Sequence, residues 1–90
     1  MTSYPKPDHM LDCEGLLCPL PVLRAGRMLR GMAEGQVLAL TATDRMAAID
    51  LPHFCNQAGH QFLGAQTSGT VTRYWLRRGP DRAEDERAED

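Results

Sequence analysis

Long apolar runs, a cysteine framework and a strong charge of either sign are all missing from this sequence. No stretch approaches the roughly 18 apolar residues of a membrane-spanning helix, which argues against a membrane protein. Aromatics make up only 6% of the 90 residues, so the chain is one small domain with a modest core. Residues 1–9 are polar, carry Pro5 and Pro7, and lack the basic-then-apolar plan of a signal peptide. The expectation is a cytoplasmic, reducing setting. Three cysteines, Cys13, Cys18 and Cys55, are an odd number and too few for a disulfide scaffold. In that setting they are thiols, ligands or redox groups.

Other absences narrow the chemistry. No Cys-x-x-Cys redox pair is present, and no His or Lys lies close to Cys18 in sequence to act as a base. The Cys and His spacings match no common zinc pattern, so no metal or other cofactor is expected. The net charge is −2. Residues 81–90 hold six acids against two arginines, while the preceding residues hold eight Lys/Arg against six Asp/Glu. So mild a basic excess does not suggest direct nucleic-acid binding. No internal repeat is visible.

What is there centres on Cys18-Pro19-Leu20-Pro21. Residues 10–13 read as a short strand that Gly15 breaks, and a tight loop then delivers Cys18. Residues 19–33 read as a helix: Val22, Ala25 or Gly26, Leu29 and Met32 recur at helical spacing, and Gly35 supplies a stop. Arg24, Arg27 and Arg30 recur on another face. They read as a solvated stripe or as a docking surface for an acidic partner. Residues 36–42 form a nearly continuous apolar strand, as for a central strand covered on both faces. Asp44 is a good cap for a second helical region. Asp50 and Pro52 look like a fresh start, which predicts a helix broken or bent near Pro52. Residues 61–67 and 70–78 then read as an antiparallel hairpin turned at Ser68-Gly69. The order β-α-β-α-β-β predicts an α/β two-layer sandwich, with two helices on one face of a mixed four-stranded sheet. The domain spans residues 10–79, between a flexible leader (1–9) and an acidic, disordered or frayed tail (80–90).

Cys18 reads as the N-cap of the first helix, with Pro19 at the first helical position. A thiol there faces the positive end of the helix dipole, which favours the thiolate. Pro19 and Pro21 each remove an amide donor and stiffen the turn, leaving the amides of Cys18, Leu20 and Val22. Such a site suits a thiolate or persulfide anion. A lone thiol without acid–base partners suits a group carrier better than a complete enzyme. The bland alternative, a packed inert cysteine, sits poorly with the exposed turn built by Gly15, Pro19 and Pro21. Cys55 reads as core beside Phe54 and Ala58, Cys13 as a strand-end side chain, and His60 as a helix-end residue. Whether His53 or His60 approaches Cys18 is open, as is a Cys13–Cys18 redox switch.

Leu11-Asp12-x-x-Gly15-Leu16-x-Cys18-Pro19-x-Pro21-Val22 resembles the signature of the TusA-like (SirA-like) sulfur carrier family. The resemblance continues through Gly35-Gln36-Val37-Leu38, Ala42-Thr43-Asp44, Ile49-Asp50-Leu51-Pro52-x-Phe54-Cys55 and Gly59-His60, covering roughly residues 10–78. It implies a two-layer α/β sandwich that carries sulfane sulfur as a persulfide on Cys18. The sulfur would come from a cysteine desulfurase or a rhodanese-like donor. It would pass to a relay protein for tRNA thiolation, or into molybdenum cofactor or sulfur-oxidation pathways. Such a protein is a monomeric carrier that works with partner sulfurtransferases rather than an enzyme. The alternatives are a redox-regulatory or interaction module using Cys18 without sulfur relay, or a small sulfurtransferase. The family often has Pro after the residue matching Asp44. Arg45 stands there in this chain, and a less sharp helix start is expected.

Overall fold

A computed structural model describes residues 4–80; the acidic tail expected over 80–90 therefore lies, from residue 81 on, outside the described residues. The elements are β1 (His9–Cys13), α1 (Leu20–Arg30), β2 (Val37–Ala42), α2 (Ala47–Ala58), β3 (Gln61–Ser68) and β4 (Val71–Arg77). The sheet order is β1-β2-β4-β3. β1 runs parallel to β2, with Cys13 opposite Ala42. β4 lies antiparallel to both β2 and β3. This is the mixed sheet with two helices that the element order implied.

Strand alternation divides the core. Leu38, Leu40 and Ala42 of β2 join Tyr74 and Leu76 of β4 beneath Ala25 and Leu29 of α1 and Leu51 and Cys55 of α2. On the other face Val37 and Ala39 meet Trp75. A strand covered on both sides reads as an unbroken apolar run, because neither residue parity meets water.

Residues 4–8 carry no regular structure but make defined contacts with the sheet. Tyr4 stacks on Trp75 with ring centroids 4.1 Å apart and planes 10° from parallel. Its hydroxyl donates to the Ala65 carbonyl at 3.3 Å. The Asp8 amide donates to the Val37 carbonyl, and the Val37 amide donates to the Asp8 carboxylate, both at 2.8 Å. His9 is the first residue of β1. The order in this segment comes from the open sheet face, a partner that local sequence does not reveal.

Three helix boundaries differ from the sequence reading. The cap of α1 is Pro19 rather than Cys18, with φ −100° and ψ 18°, and Pro21 falls in the first turn. α1 stops at Arg30, where the Gly31 amide bonds back to the Met28 carbonyl at 3.0 Å. That tightened turn ends the helix before Gly35 is reached. α2 is a single helix with Pro52 inside it, not one broken there. Proline forfeits one bond to the carbonyl four residues back, which is Ala48. Ala48 is exposed, so water can satisfy the freed carbonyl. Arg45 stands in a turn ahead of α2, whose first residue is Ala47.

Candidate functional site

Because β1 and β2 are parallel neighbours, their carboxyl ends adjoin, and so do the loops leading into α1 and α2. Crevices at the carboxyl ends of parallel strands are where open α/β sheets place their chemistry. The first loop carries Cys18. It is tied down locally by the Asp12 carboxylate, which accepts from the Glu14 amide at 2.9 Å, and by the Leu16 amide donating to the Cys13 carbonyl at 3.1 Å. Gly15 takes φ +82° there, a left-handed conformation that a side chain disfavours.

The remaining ties come from the neighbouring loop. The Gly15 amide donates to the Thr43 hydroxyl at 2.9 Å. The Cys18 amide donates to Asp44 Oδ2 at 2.6 Å, while Asp44 Oδ1 accepts from the Met46 amide at 3.3 Å. One carboxylate thus joins the cysteine loop to the start of α2. The Cys18 sulfur itself donates to Asp50 Oδ2 at 3.0 Å. An open cleft of about 420 Å³ adjoins on the far side of Asp44, between Ala48, Tyr74 and the β3–β4 turn at Gly69.

This geometry corrects the electrostatics expected from sequence. Cys18 is exposed as anticipated, but its amide is spent on Asp44 and the Leu20 amide on the Leu17 carbonyl at 2.8 Å. Asp50 stands at the sulfur and Asp44 at the Cys18 amide. The Asp50 hydrogen bond, then desolvation, then the charges of Asp50 and Asp44 push the Cys18 thiol above its ordinary pKa. The free site favours the thiol, not the thiolate. It also sets a carboxylate against the thiol, where no acid–base group stood nearby in sequence. Asp44 and Asp50 were legible only as helix caps, since 26 and 32 residues separate them from Cys18.

The other cysteines are chemically apart from the site. Cys13 and Cys55 are free and buried, with 0% and 1% of their surface exposed. Burial raises the Cys13 thiol and pushes Cys55 up to about 12. His60 does not approach Cys18. It sits beyond the far end of α2, where Nδ1 accepts from the Gly79 amide at 2.9 Å and the ring tilts against Phe54. His53 is exposed on α2. Arg24, Arg27 and Arg30 are all exposed. Arg27 and Arg30 occupy the last turn of α1, the end away from Cys18, where a cation also complements the helix dipole.

A further feature escaped the sequence reading. The large apolar side chains that are exposed among the described residues are Met10, Leu17, Leu20, Leu23, Met46 and Ile49. All but Met10 belong to the cysteine loop or to the opening turns of the two helical segments. Leu17 and Ile49, at 69% and 64% exposed, flank Cys18 and Asp50 in sequence. Exposed apolar side chains grouped by sequence around the cysteine loop and the start of α2 are the kind of surface a protein contact covers. Their exposure could not be read from periodicity, because the first turns of both helices also hold buried residues, Pro21 and Ala47.

Fold and site together define a two-layer α/β domain that presents one thiol at the carboxyl ends of two parallel strands. Residues 9–78 match the family described as Sulfurtransferase TusA. The chain is 40% identical over 81 residues to a protein of Pseudomonas putida named Sulfur carrier protein TusA, covering 90% of this chain and all of that one. It is 34% identical over 70 residues to the putative sulfur carrier protein YrkF of Bacillus subtilis, covering 78% of this chain and 38% of that longer one. Among solved structures, a SirA-like protein of Desulfitobacterium hafniense superposes with a TM-score of 0.71 at 23% identity, covering 80% of this chain and 99% of that one. The chain belongs to the TusA family.

Proposed function

We propose that this protein is a sulfur carrier, loaded as a persulfide on Cys18. A donor persulfide gives up its outer sulfur: the donor S–S bond breaks, a new S–S bond forms at Cys18, and the donor is left as a thiol. The exchange needs no oxidant. The same reaction in reverse sense, with a partner thiol as acceptor, unloads the carrier. Gly15, Pro19, Leu20, Pro21 and Val22 shape the turn that presents the sulfur. The donor is a cysteine desulfurase or a rhodanese-like protein, and the acceptor a relay protein. The acceptor route serves tRNA thiolation, molybdenum cofactor or sulfur oxidation. The protein acts as a cytoplasmic monomer, and its partners supply the enzymatic steps.

One observation carries this reading: Cys18 is the exposed thiol among three cysteines, and exposed Leu17, Leu20, Leu23, Met46 and Ile49 accompany it. A carrier must meet protein partners at its loading atom, and an apolar collar around that atom serves such encounters. Arg24 and Arg27, on the exposed side of α1, add a basic margin suited to an acidic partner surface, with Arg30 at its far end.

The test is an intact mass after incubation with cysteine and a cysteine desulfurase, with and without reductant. Gain of one reducible sulfur, absent in Cys18→Ser, is expected. A Cys18→Ser protein that still gains the sulfur would overturn the assignment. A wild type that gains none but oxidises at Cys18 would favour redox regulation instead.

A further inference from the structure

The position of Asp50 bears on how sulfur moves at Cys18, and it rests on the carrier reading above. The thiol donates to Asp50 Oδ2 at 3.0 Å, so the carboxylate already touches the reacting atom and its proton. Asp50 is half-buried in the first turn of α2 and lies 32 residues from Cys18 along the chain. The contact is a product of helix placement alone. Asp44 holds the Cys18 amide and the Met46 amide, leaving Asp50 as the carboxylate at the sulfur.

Two charged groups bear on the protonation of the sulfur. Asp50 on α2 and Asp44 on the preceding loop are the charges that act on Cys18, both anionic. Arg24 on α1 acts on Cys13 instead. Glu14 and Arg45, on the two adjoining loops, are exposed. Among the described residues the charges that act on Cys18 are these two carboxylates, and together with the Asp50 hydrogen bond they favour the S–H form. A protonated thiol is a poor nucleophile. A carrier built this way needs a proton acceptor within hydrogen-bond reach when it attacks.

We propose that Asp50 is a catalytic residue of the carrier, the base that takes the Cys18 proton during loading and the acid that returns it to the departing thiolate. The Cys18 sulfur attacks the outer sulfur of a donor persulfide, and the Cys18 S–H proton passes to Asp50 Oδ2. The S–S bond to Cys18 forms as the donor S–S bond breaks, leaving the electron pair on the donor sulfur. The Asp50 carboxyl then protonates that thiolate. Cys18 ends as S–S–H, the donor as S–H and Asp50 as carboxylate, so atoms, protons and electrons balance without an added oxidant. The same pair keeps the unloaded thiol quiet toward general electrophiles, because those react with thiolate.

The two consequences have opposite signs on removal of the carboxylate, and this makes the proposal testable on the full chain without any partner protein. Iodoacetamide alkylation of Cys18 is followed against pH, and sulfur loading is followed by intact mass at pH 7 with the persulfide of glutathione as donor. Asp50→Asn is expected to shift the alkylation midpoint to lower pH and speed alkylation at pH 7. It is also expected to slow loading by about 10²-fold, the usual worth of a positioned base. Asp50→Glu, which restores a carboxylate on a longer arm, should recover part of the loading rate. A merely structural role would move both rates the same way. Loading that is unchanged or faster in Asp50→Asn overturns the proposal, as does an unmoved alkylation midpoint. Wild-type protein that takes no sulfur removes the carrier reading, and this proposal with it. Wild-type loading with no Asp50 effect removes only the proposal.

Discussion

Phe54 of α2 occupies the space that a side chain at Gly26 of α1 would need: a Cβ at position 26 would come within 3.3 Å of the Phe54 ring carbon Cζ. The two helices therefore meet closely at this point. α1 follows the loop that holds Cys18 and α2 carries Asp50, so loosening this contact should let the carboxylate draw away from the sulfur. Gly26→Leu should overpack the contact and cost about 1–3 kcal/mol. It should also move the Cys18 alkylation midpoint toward that of an ordinary thiol as Asp50 withdraws. Urea unfolding and the alkylation pH profile check the two effects.

Alkylation of the native protein should label one thiol. Cys18 is exposed, whereas Cys13 and Cys55 are buried. Intact mass after brief iodoacetamide treatment should show one adduct, lost in Cys18→Ser, with two more added only in denaturant. Native labelling of Cys55 would contradict the packing described for α2.

The alkaline limb of stability should carry the signature of Cys55. Its thiol is pushed from 9.0 up to about 12 by burial. A folded-state value above the unfolded one means the contribution is fully present below pH 9 and is lost as pH rises toward 12. Cys13 and Tyr74 are also raised by burial and act with the same sign. The urea midpoint should hold to about pH 9 and then fall, and Cys55→Ala, although less stable at neutral pH, should fall less steeply.

Tyr4→Ala should uncover Trp75, the one tryptophan of the chain. The aromatic pair is worth about 0.5–1.5 kcal/mol beyond the area it buries. Loss of stability of that order and a red-shifted Trp fluorescence are expected, with sulfur loading at Cys18 unchanged because the stack lies on the opposite sheet face. Gly64 should behave alike. It takes φ +151°, and a Cβ there would come within 2.6 Å of the Tyr4 ring, so Gly64→Val should displace Tyr4 and redden the emission.

Charging the apolar collar should damage transfer without damaging the fold. Ile49→Asp places a charge at an exposed position, where substitutions usually stay within about 0.5 kcal/mol. It should slow sulfur transfer from a desulfurase about tenfold or more, a loss of roughly 1.4 kcal/mol of docking energy, yet leave loading from a small-molecule persulfide nearly intact. Arg27→Glu should slow only the partner-dependent reaction if α1 forms the basic margin. Equal rates in both assays would remove either residue from the docking surface.

Much of the architecture was legible along the chain because it is written in local signals. Gly15 breaks β1, the apolar period from Val22 to Met32 marks α1, the unbroken run of β2 marks a doubly covered strand, and Ser68-Gly69 closes the hairpin. Cys18 stood out for its prolines and its glycine turn. The misreadings occurred where a local signal was outweighed by distant packing. Pro52 resembles a helix start, yet α2 passes through it as one continuous helix. Residues 4–8 look unstructured, yet Trp75 and Val37 hold them. The dipole argument at α1 was sound for an isolated helix, but the Asp50 hydrogen bond from α2 and the charges of Asp50 and Asp44 override it.

What the sequence alone determined, then, is the order of the elements, the two faces of the sheet and the identity of the exposed thiol. Each depends on residue type and spacing within a few turns of chain. The chemical state of that thiol was decided only in three dimensions. Parallel pairing of β1 with β2 sets two loop ends side by side, and the Gly26–Phe54 contact draws two helices together. Asp44 and Asp50 reach Cys18 by that route, from 26 and 32 residues away. Electrostatic interaction depends on distance through space, and no local pattern in the chain encodes that distance.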